Sequence, residues 1–387
     1  MAKPAPDLAP GSASEPPLQD DGTPVAVPRV SFTSIAWSLL LSLVVLAVIA
    51  VVTFEPDTLE QMLRVNPWLL LTAALTVGLR VFFGTWRLHY VSHKRLDWLG
   101  ALRAQLAWDF FSNVTPSTIG GGPIAPAYIA RDSDIPLGEA TSVMLFAMLL
   151  DQIWFTLAIP IILVLGFYIE IIPSSLGTLG TVTFTLYFLG FTIWVLLFGY
   201  ATLVRPHLLE RFVDRLFRIK GLRRFHGRVL GMMGQLQNRA RTLRTQRPDF
   251  YLKGFLLTVA VWLSRYLLVV FILWSVYPMV DKLLVLLRTI ALMLGALVMP
   301  TPGGAGGIEG LYALLVGPLI PEALVAPTLL TWRLMGYYIF IALGAYLSIH
   351  QVQKTIRRKK HARAVNGETS SNGTVVVPTS EPAERTE

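Results

Sequence analysis

The feature that most constrains this chain is a series of uncharged apolar runs, each about as long as a bilayer is thick. Leu39 to Val52 holds no charged residue and shows no two-residue alternation. A hydrocarbon core of about 30 Å needs about 20 apolar residues in a helix. A barrel strand would instead alternate over about ten residues. Backbone polar groups in lipid must be satisfied internally, so helices are expected. Composition agrees: 15% of residues are charged and 53% are hydrophobic, against roughly 25% charged in soluble domains. The net charge of +9 is clustered between the apolar runs, as the positive-inside rule requires. That distribution argues against nucleic acid as a partner. The chain has no cysteine, which excludes disulfides, thiolate metal sites and cysteine nucleophiles.

Charge placement sets a topology. Residues 1–32 hold seven prolines and scattered acids and form a disordered cytoplasmic tail. Helix 1 runs from about Ser34 to Thr53 and helix 2 from about Pro67 to Trp86. Arg87, Lys94, Arg95 and Arg103 then mark the cytoplasmic side. The segment from Arg205 to Lys253 carries thirteen Lys and Arg against three acids and is also cytoplasmic. Within it, residues 205–249 form an amphipathic basic stretch against anionic headgroups. Residues 97–137 enter and leave on the inside and are broken by Pro116, Gly120, Gly121, Gly122 and Pro123. Residues 279–321 enter and leave on the outside and are broken from Pro300 to Gly307. The fold expected is an all-α polytopic membrane protein. It has six full transmembrane helices plus two oppositely oriented re-entrant hairpins, arranged as an inverted repeat within residues 33–350. A basic then polar disordered tail, residues 351–387, is also cytoplasmic. The chain is placed in the inner (plasma) membrane with both termini inside.

The two copies also match in spacing. Arg80 to Gly121 is 41 residues (121−80) and Arg265 to Gly304 is 39 (304−265). Gly121 to Asp151 is 30 (151−121) and Gly304 to Arg333 is 29 (333−304). Broken helices in matching positions of an inverted repeat point to a midplane substrate site.

Ionisable residues inside apolar runs are the next signal, since each costs about 2.5–3.5 kcal/mol at mid-membrane on insertion scales. Arg80, Asp151, Arg265 and Arg333 qualify. Asp151 has two readings, an internal ion pair with one arginine or a substrate contact. Glu309 also has two, as a cap of the half-helix after the second break or as an acceptor of a proton or cationic headgroup. The glycines at the breaks, Gly120 and Gly121 in the first and Gly303, Gly304 and Gly306 with Pro302 in the second, permit tight turns and close backbone approach to a ligand. Helix N-termini following them would face an anion. All six histidines fall on the cytoplasmic side in this topology, and no metal-ligand spacing appears. No cofactor, metal or catalytic residue is expected.

The segments MPTPGGAGGIEG and TWRLMGYY, with IPLGEATSVMLFAMLLDQIW ending near Asp151, resemble the flippase-like transmembrane domain of lysylphosphatidylglycerol synthases. The resemblance covers about residues 33–350 and is most specific at Pro302, Gly303, Gly304, Gly306, Glu309 and Arg333. It implies a lipid flippase or lipid-binding membrane fold. Relatives often carry a Glu-Arg pair before the aspartate of the central helix, where this chain has Ala147 and Met148. A standalone member without the aminoacyl-transferase domain is expected not to be an enzyme. The expected function is movement of an anionic phospholipid or lipid-linked headgroup across the membrane. Transport of a small soluble anion and a non-catalytic subunit of envelope lipid synthesis are the alternatives. Expected partners are membrane lipids, a second copy of the chain or an envelope-synthesis protein.

Overall fold

The computed structural model of the chain describes residues 32–53, 65–114, 125–133, 135–203, 247–297, 299, 301 and 303–346. The expected terminal tails, nearly all of the basic 205–249 segment, the first break with Gly120 and Gly121, and Pro302 lie outside the described residues. Pro16–Ala345 forms one compact unit. Its helices are α1 (Phe32–Val52), α2 (Pro67–Val91), α3 (Trp98–Val114), α4 (Ala125–Ser133), α5 (Leu137–Leu165) and α6 (Gly177–Leu203). After the undescribed stretch come α7 (Pro248–Val276), α8 (Lys282–Ala296), α9 (Gly307–Leu315) and α10 (Glu322–Arg333). A π-helical turn at Leu334–Tyr338 carries α10 onward. The described residues contain no strand.

Five helices among the described residues are long and apolar enough to cross a membrane. They are α2, the Glu139–Leu165 part of α5, Ser174–Ile193, α7 and Glu322–Tyr346. Half of the α7 window is buried but only 6% of the Ser174–Ile193 window, so α7 is central and Ser174–Ile193 presents most of its apolar surface outward. The 9-residue helices α4 and α9 reach about 14 Å at 1.5 Å per residue and are too short to cross.

Local sequence explains where these helices start. Asn66 caps α2 by accepting from the Trp68 and Leu69 amides, with Pro67 at the first helical position, where its missing N–H costs nothing. Asp97 accepts from the Gly100 amide at 2.9 Å. Asp281 accepts from the Leu283 and Leu284 amides at 2.9 and 3.0 Å. Helices α3 and α8 thus open on the same device, a capping aspartate. An Ile-Pro pair precedes both α5 (Ile135, Pro136) and α10 (Ile320, Pro321).

The elements α2–α5 and α7–α10 therefore follow the same order: a long helix, a medium one, a 9-residue one and a candidate span, the last being Glu139–Leu165 in one set and Glu322–Tyr346, α10 with its continuation, in the other. Their residues register as well. Arg80 and Arg265, Arg103 and Arg288, and the two Ile-Pro pairs all stand 185 positions apart (265−80, 288−103, 320−135). The first helices of the two sets run antiparallel. At one end the Asn66 amide donates to the Ser275 carbonyl at 2.8 Å. At the other, Tyr90 stacks on Phe250 at 5.2 Å. Arg103 and Arg288 also do the same work in each set. Arg103 pairs with Asp132 of α4 at 2.8 Å, and Arg288 donates to the Leu315 carbonyl of α9 at 3.0 Å. Each arginine ties the medium helix to the short one that follows.

One boundary differs from the sequence reading. Helix 2 does not end at Trp86 but continues to Val91. No glycine or proline interrupts Trp86–Ser92, so the backbone ladder has no reason to stop. Arg87, read as a marker of the cytoplasmic edge, is buried at 3% exposure.

Candidate functional site

The broken segment before α9 is shaped by glycine. Gly303, Gly304 and Gly306 have φ of 58°, 67° and 82°, a left-handed region that side chains with a Cβ enter at a cost. Gly303 is also crowded. A Cβ there would collide with the Tyr337 ring and lie 3.0 Å from the Asn113 carbonyl oxygen. Asn113 is the penultimate residue of α3, so the second break and the end of α3 meet at this point. The close approach that glycine permits is realised between two backbones.

Beside this meeting lies a cavity of about 40 Å³ whose walls include Arg80, Asn113, Arg265, Gly303, Arg333 and Tyr337. One water needs about 10–15 Å³ by this measure, so the space holds two or three. Of the five arginines and acids singled out from the sequence, the three arginines, Arg80, Arg265 and Arg333, face it together. Arg80 is 13 residues from the start of α2 and Arg265 is 11 from the end of α7 (80−67, 276−265). At 1.5 Å per residue each sits about 16–20 Å from a helix end, near the middle of its span.

The three arginines are neutralised unequally. Arg80 pairs with Asp109 of α3, whose other oxygen accepts from Gln105 Nε2 at 3.1 Å. The Arg80 guanidinium also lies 4.3 Å from the centre of the Phe340 ring. Arg333 pairs with Glu309 at 2.7 Å and stands 4.7 Å from the centre of Tyr337. Arg265 has no carboxylate or hydrogen-bond partner among the described residues. Its guanidinium lies 5.2 Å from the centre of the Trp262 ring. Two neutral pairs and one uncompensated cation therefore surround the cavity.

Glu309 combines two roles. Its Oε2 accepts from the Gly306 amide at 2.8 Å, the cap expected from sequence. The same carboxylate holds Arg333 and accepts from Ser42 Oγ of α1. Ser42 is within 2.9 Å of the Tyr338 hydroxyl. Glu309 is fully buried, and this set of donors offsets the cost of keeping a carboxylate there.

Asp151 does not line the cavity. It accepts from Arg87 at 2.6 Å and from Trp262 Nε1 at 2.8 Å. Arg87 also donates to Thr258 at 3.3 Å and sits 5.3 Å from the centre of Trp108. Of its two sequence readings, the geometry realises the internal ion pair, joining α2, α5 and α7.

Four participants were absent from the sequence reading. Asp109 lies in the apolar stretch Ala104–Val114, so the rule that selected Asp151 would have found it. Arg87 is legible once helix 2 is carried to Ser92. Asn113 and Ser42 carry no such signal, because one amide or hydroxyl in an apolar helix is ordinary. Among the described residues no group of three His, Asp or Glu has the geometry to hold a metal ion.

Comparison with known proteins places this geometry. Residues 35–344 match the family model described as the lysylphosphatidylglycerol synthase TM region. A relative, the UPF0104 membrane protein of Archaeoglobus fulgidus, is 24% identical over 322 residues, spanning 79% of this chain and 94% of that one. With a match over nearly all of the helical unit, the chain belongs to the lysylphosphatidylglycerol synthase TM-region family.

Proposed function

We propose that the chain is a transporter, not an enzyme, that moves an anionic phospholipid or lipid-linked headgroup across the plasma membrane. The observation that carries this reading is Arg265. A cation in the middle of a spanning helix, facing a cavity with no carboxylate beside it, is retained at a cost of about 2.5–3.5 kcal/mol. A phosphate seated against Arg265 removes that cost. Arg80 and Arg333, each already paired, supply further donors once the anion arrives. The breaks at Gly303–Gly306 and before α4 are the tips of two re-entrant hairpins that enter from opposite faces, with six full spans and both termini cytoplasmic. Rocking of α2–α5 against α7–α10 alternates access to the cavity. The family and its lipid-metabolic setting support a lipid cargo.

The test is reconstitution of the full chain in liposomes with a fluorescently labelled anionic phospholipid. The expected result is movement between leaflets well above protein-free vesicles, lost in Arg265→Ala. Equal movement with and without protein would overturn the reading. A small soluble anion is the second reading, and the cavity volume of about 40 Å³ favours it. Uptake of radiolabelled phosphate without lipid movement would decide for it. Single cysteines test the topology: Ser174→Cys should label from outside and Gln237→Cys only from inside.

A further inference from the structure

A second cavity, of about 350 Å³, lies where α2 ends and α7 begins, and it shares no residue with the central one. Its floor is an aromatic stack. Phe250, itself 8% exposed, lies between Tyr90 at 5.2 Å and His93 at 5.0 Å, the His93 ring tilted only 11° from it. Phe146 supports Phe250 from α5 at 5.4 Å. Ring-on-ring packing of this kind fixes the shape of the floor.

The rim is basic. Lys94, Arg247 and Lys253 stand around the opening against a single carboxylate, Asp249, which Arg247 reaches at 3.8 Å. The two lysines have no carboxylate partner among the described residues. The turn that carries the rim is unusual. His93 and Lys94 are consecutive non-glycine residues with φ of 53° and 64°. The His93 amide donates to the Tyr90 carbonyl and the Lys94 amide to the His89 carbonyl, both at 3.0 Å. Glycine would adopt this conformation without cost. A His-Lys pair held there against preference aims its side chains, and such retained strain collects at binding sites.

Position supplies the ligand class. Both α2 and α7 are candidate spans, so their shared end lies at the depth of the lipid headgroups, where phosphate oxygens concentrate. Ammonium groups act on phosphate as point charges, and the volume lies in the range of small-ligand pockets. We propose that this cavity binds a phosphate group, with Lys94 and Lys253 as its charge partners and the Tyr90–Phe250–His93 stack as its floor. The same chemistry is offered by an anionic lipid headgroup and by free phosphate.

The experiment titrates the purified full chain in detergent with dioctanoyl phosphatidylglycerol and, separately, with inorganic phosphate, by calorimetry. The Lys94→Ala/Lys253→Ala variant is expected to bind roughly tenfold more weakly or worse. Lys94→Arg/Lys253→Arg should retain binding, and so should Lys282→Ala. Loss for the lipid alone identifies a headgroup site, and loss for both identifies a site that also takes the free ion. Unchanged affinity of the alanine variant for both ligands overturns the proposal.

Discussion

Arg80 and Arg265 hold corresponding places in the two halves of the molecule, 185 positions apart (265−80) in antiparallel helices. Both face the same cavity. One is paired with Asp109, while the other has only the Trp262 ring beside it. At the position 185 after Asp109, the second half has Leu294 (109+185). The repeat thus keeps the cation in both copies and the carboxylate in only one. A structural pair needs both partners, so only the first half can hold its arginine in this way.

The largest expected effect breaks this comparison directly. Arg265→Met should abolish anion movement, with thermal stability in detergent unchanged or higher. Arg80→Met should lower stability by about 3–5 kcal/mol, because it strands a buried carboxylate. Equal loss of stability in both variants would mean that Arg265 has a partner like that of Arg80.

Next in size is Glu309→Ala, which leaves Arg333, Ser42 and the Gly306 amide without their common acceptor. A cost of about 3–5 kcal/mol is expected, read by denaturant unfolding of the micelle-bound chain. Glu309→Ala together with Arg333→Met should recover part of it. If the double variant is no better than the single, the pair is not the unit that the geometry describes.

A smaller effect separates neighbouring glycines. Gly303→Ala meets both a left-handed φ and the Asn113 carbonyl, whereas Gly306→Ala meets the left-handed φ with Leu41 at an ordinary 3.4 Å. The left-handed conformation alone costs roughly 1–2 kcal/mol. Gly303→Ala should therefore lower the unfolding midpoint by more than Gly306→Ala. The reverse order would show that α3 and the second break do not meet as described.

The smallest effect lies at the loop before α6. The Ser174 amide donates to Glu170 at 2.6 Å. That bond, with the attraction of Arg288, holds the Glu170 carboxyl below its ordinary value of 4.5. The folded state binds this proton less readily than the unfolded state does. The stabilisation is therefore present above pH 4.5 and fades as pH falls through the lowered folded value. Glu170→Gln should remove that part of the acid sensitivity, measured as midpoint against pH. Identical profiles would mean the contact contributes nothing.

Much of this arrangement was legible in the chain. Apolar length gave the spans, because lipid allows few other backbone solutions. Arg80, Arg265 and Arg333 stood out because a cation in an apolar run is costly wherever the run folds. Glu309 was readable as a cap from its spacing to Gly306. Asp109 stands in an unbroken helix of the segment 97–137, whose breaks begin only at Pro116, and Arg87 lies one residue past the aromatic Trp86, where an interface anchor suggests a helix end. The offset of 185 at four positions was present in the letters, but it becomes meaningful only when the matched residues occupy matched elements.

By itself the sequence determined that the chain is helical, membrane-embedded and built from two similar halves, since apolar length, charge clustering and glycine breaks are local properties. It also marked which side chains would be costly to bury. Tertiary structure decided which of those costs are offset. Arg80, Asp109, Arg87, Asp151, Glu309 and Arg333 come from five different helices, and no spacing along the chain states who meets whom. Packing brought Asp109 to Arg80, Arg87 to Asp151 and Arg333 to Glu309, and left Arg265 facing the cavity with none.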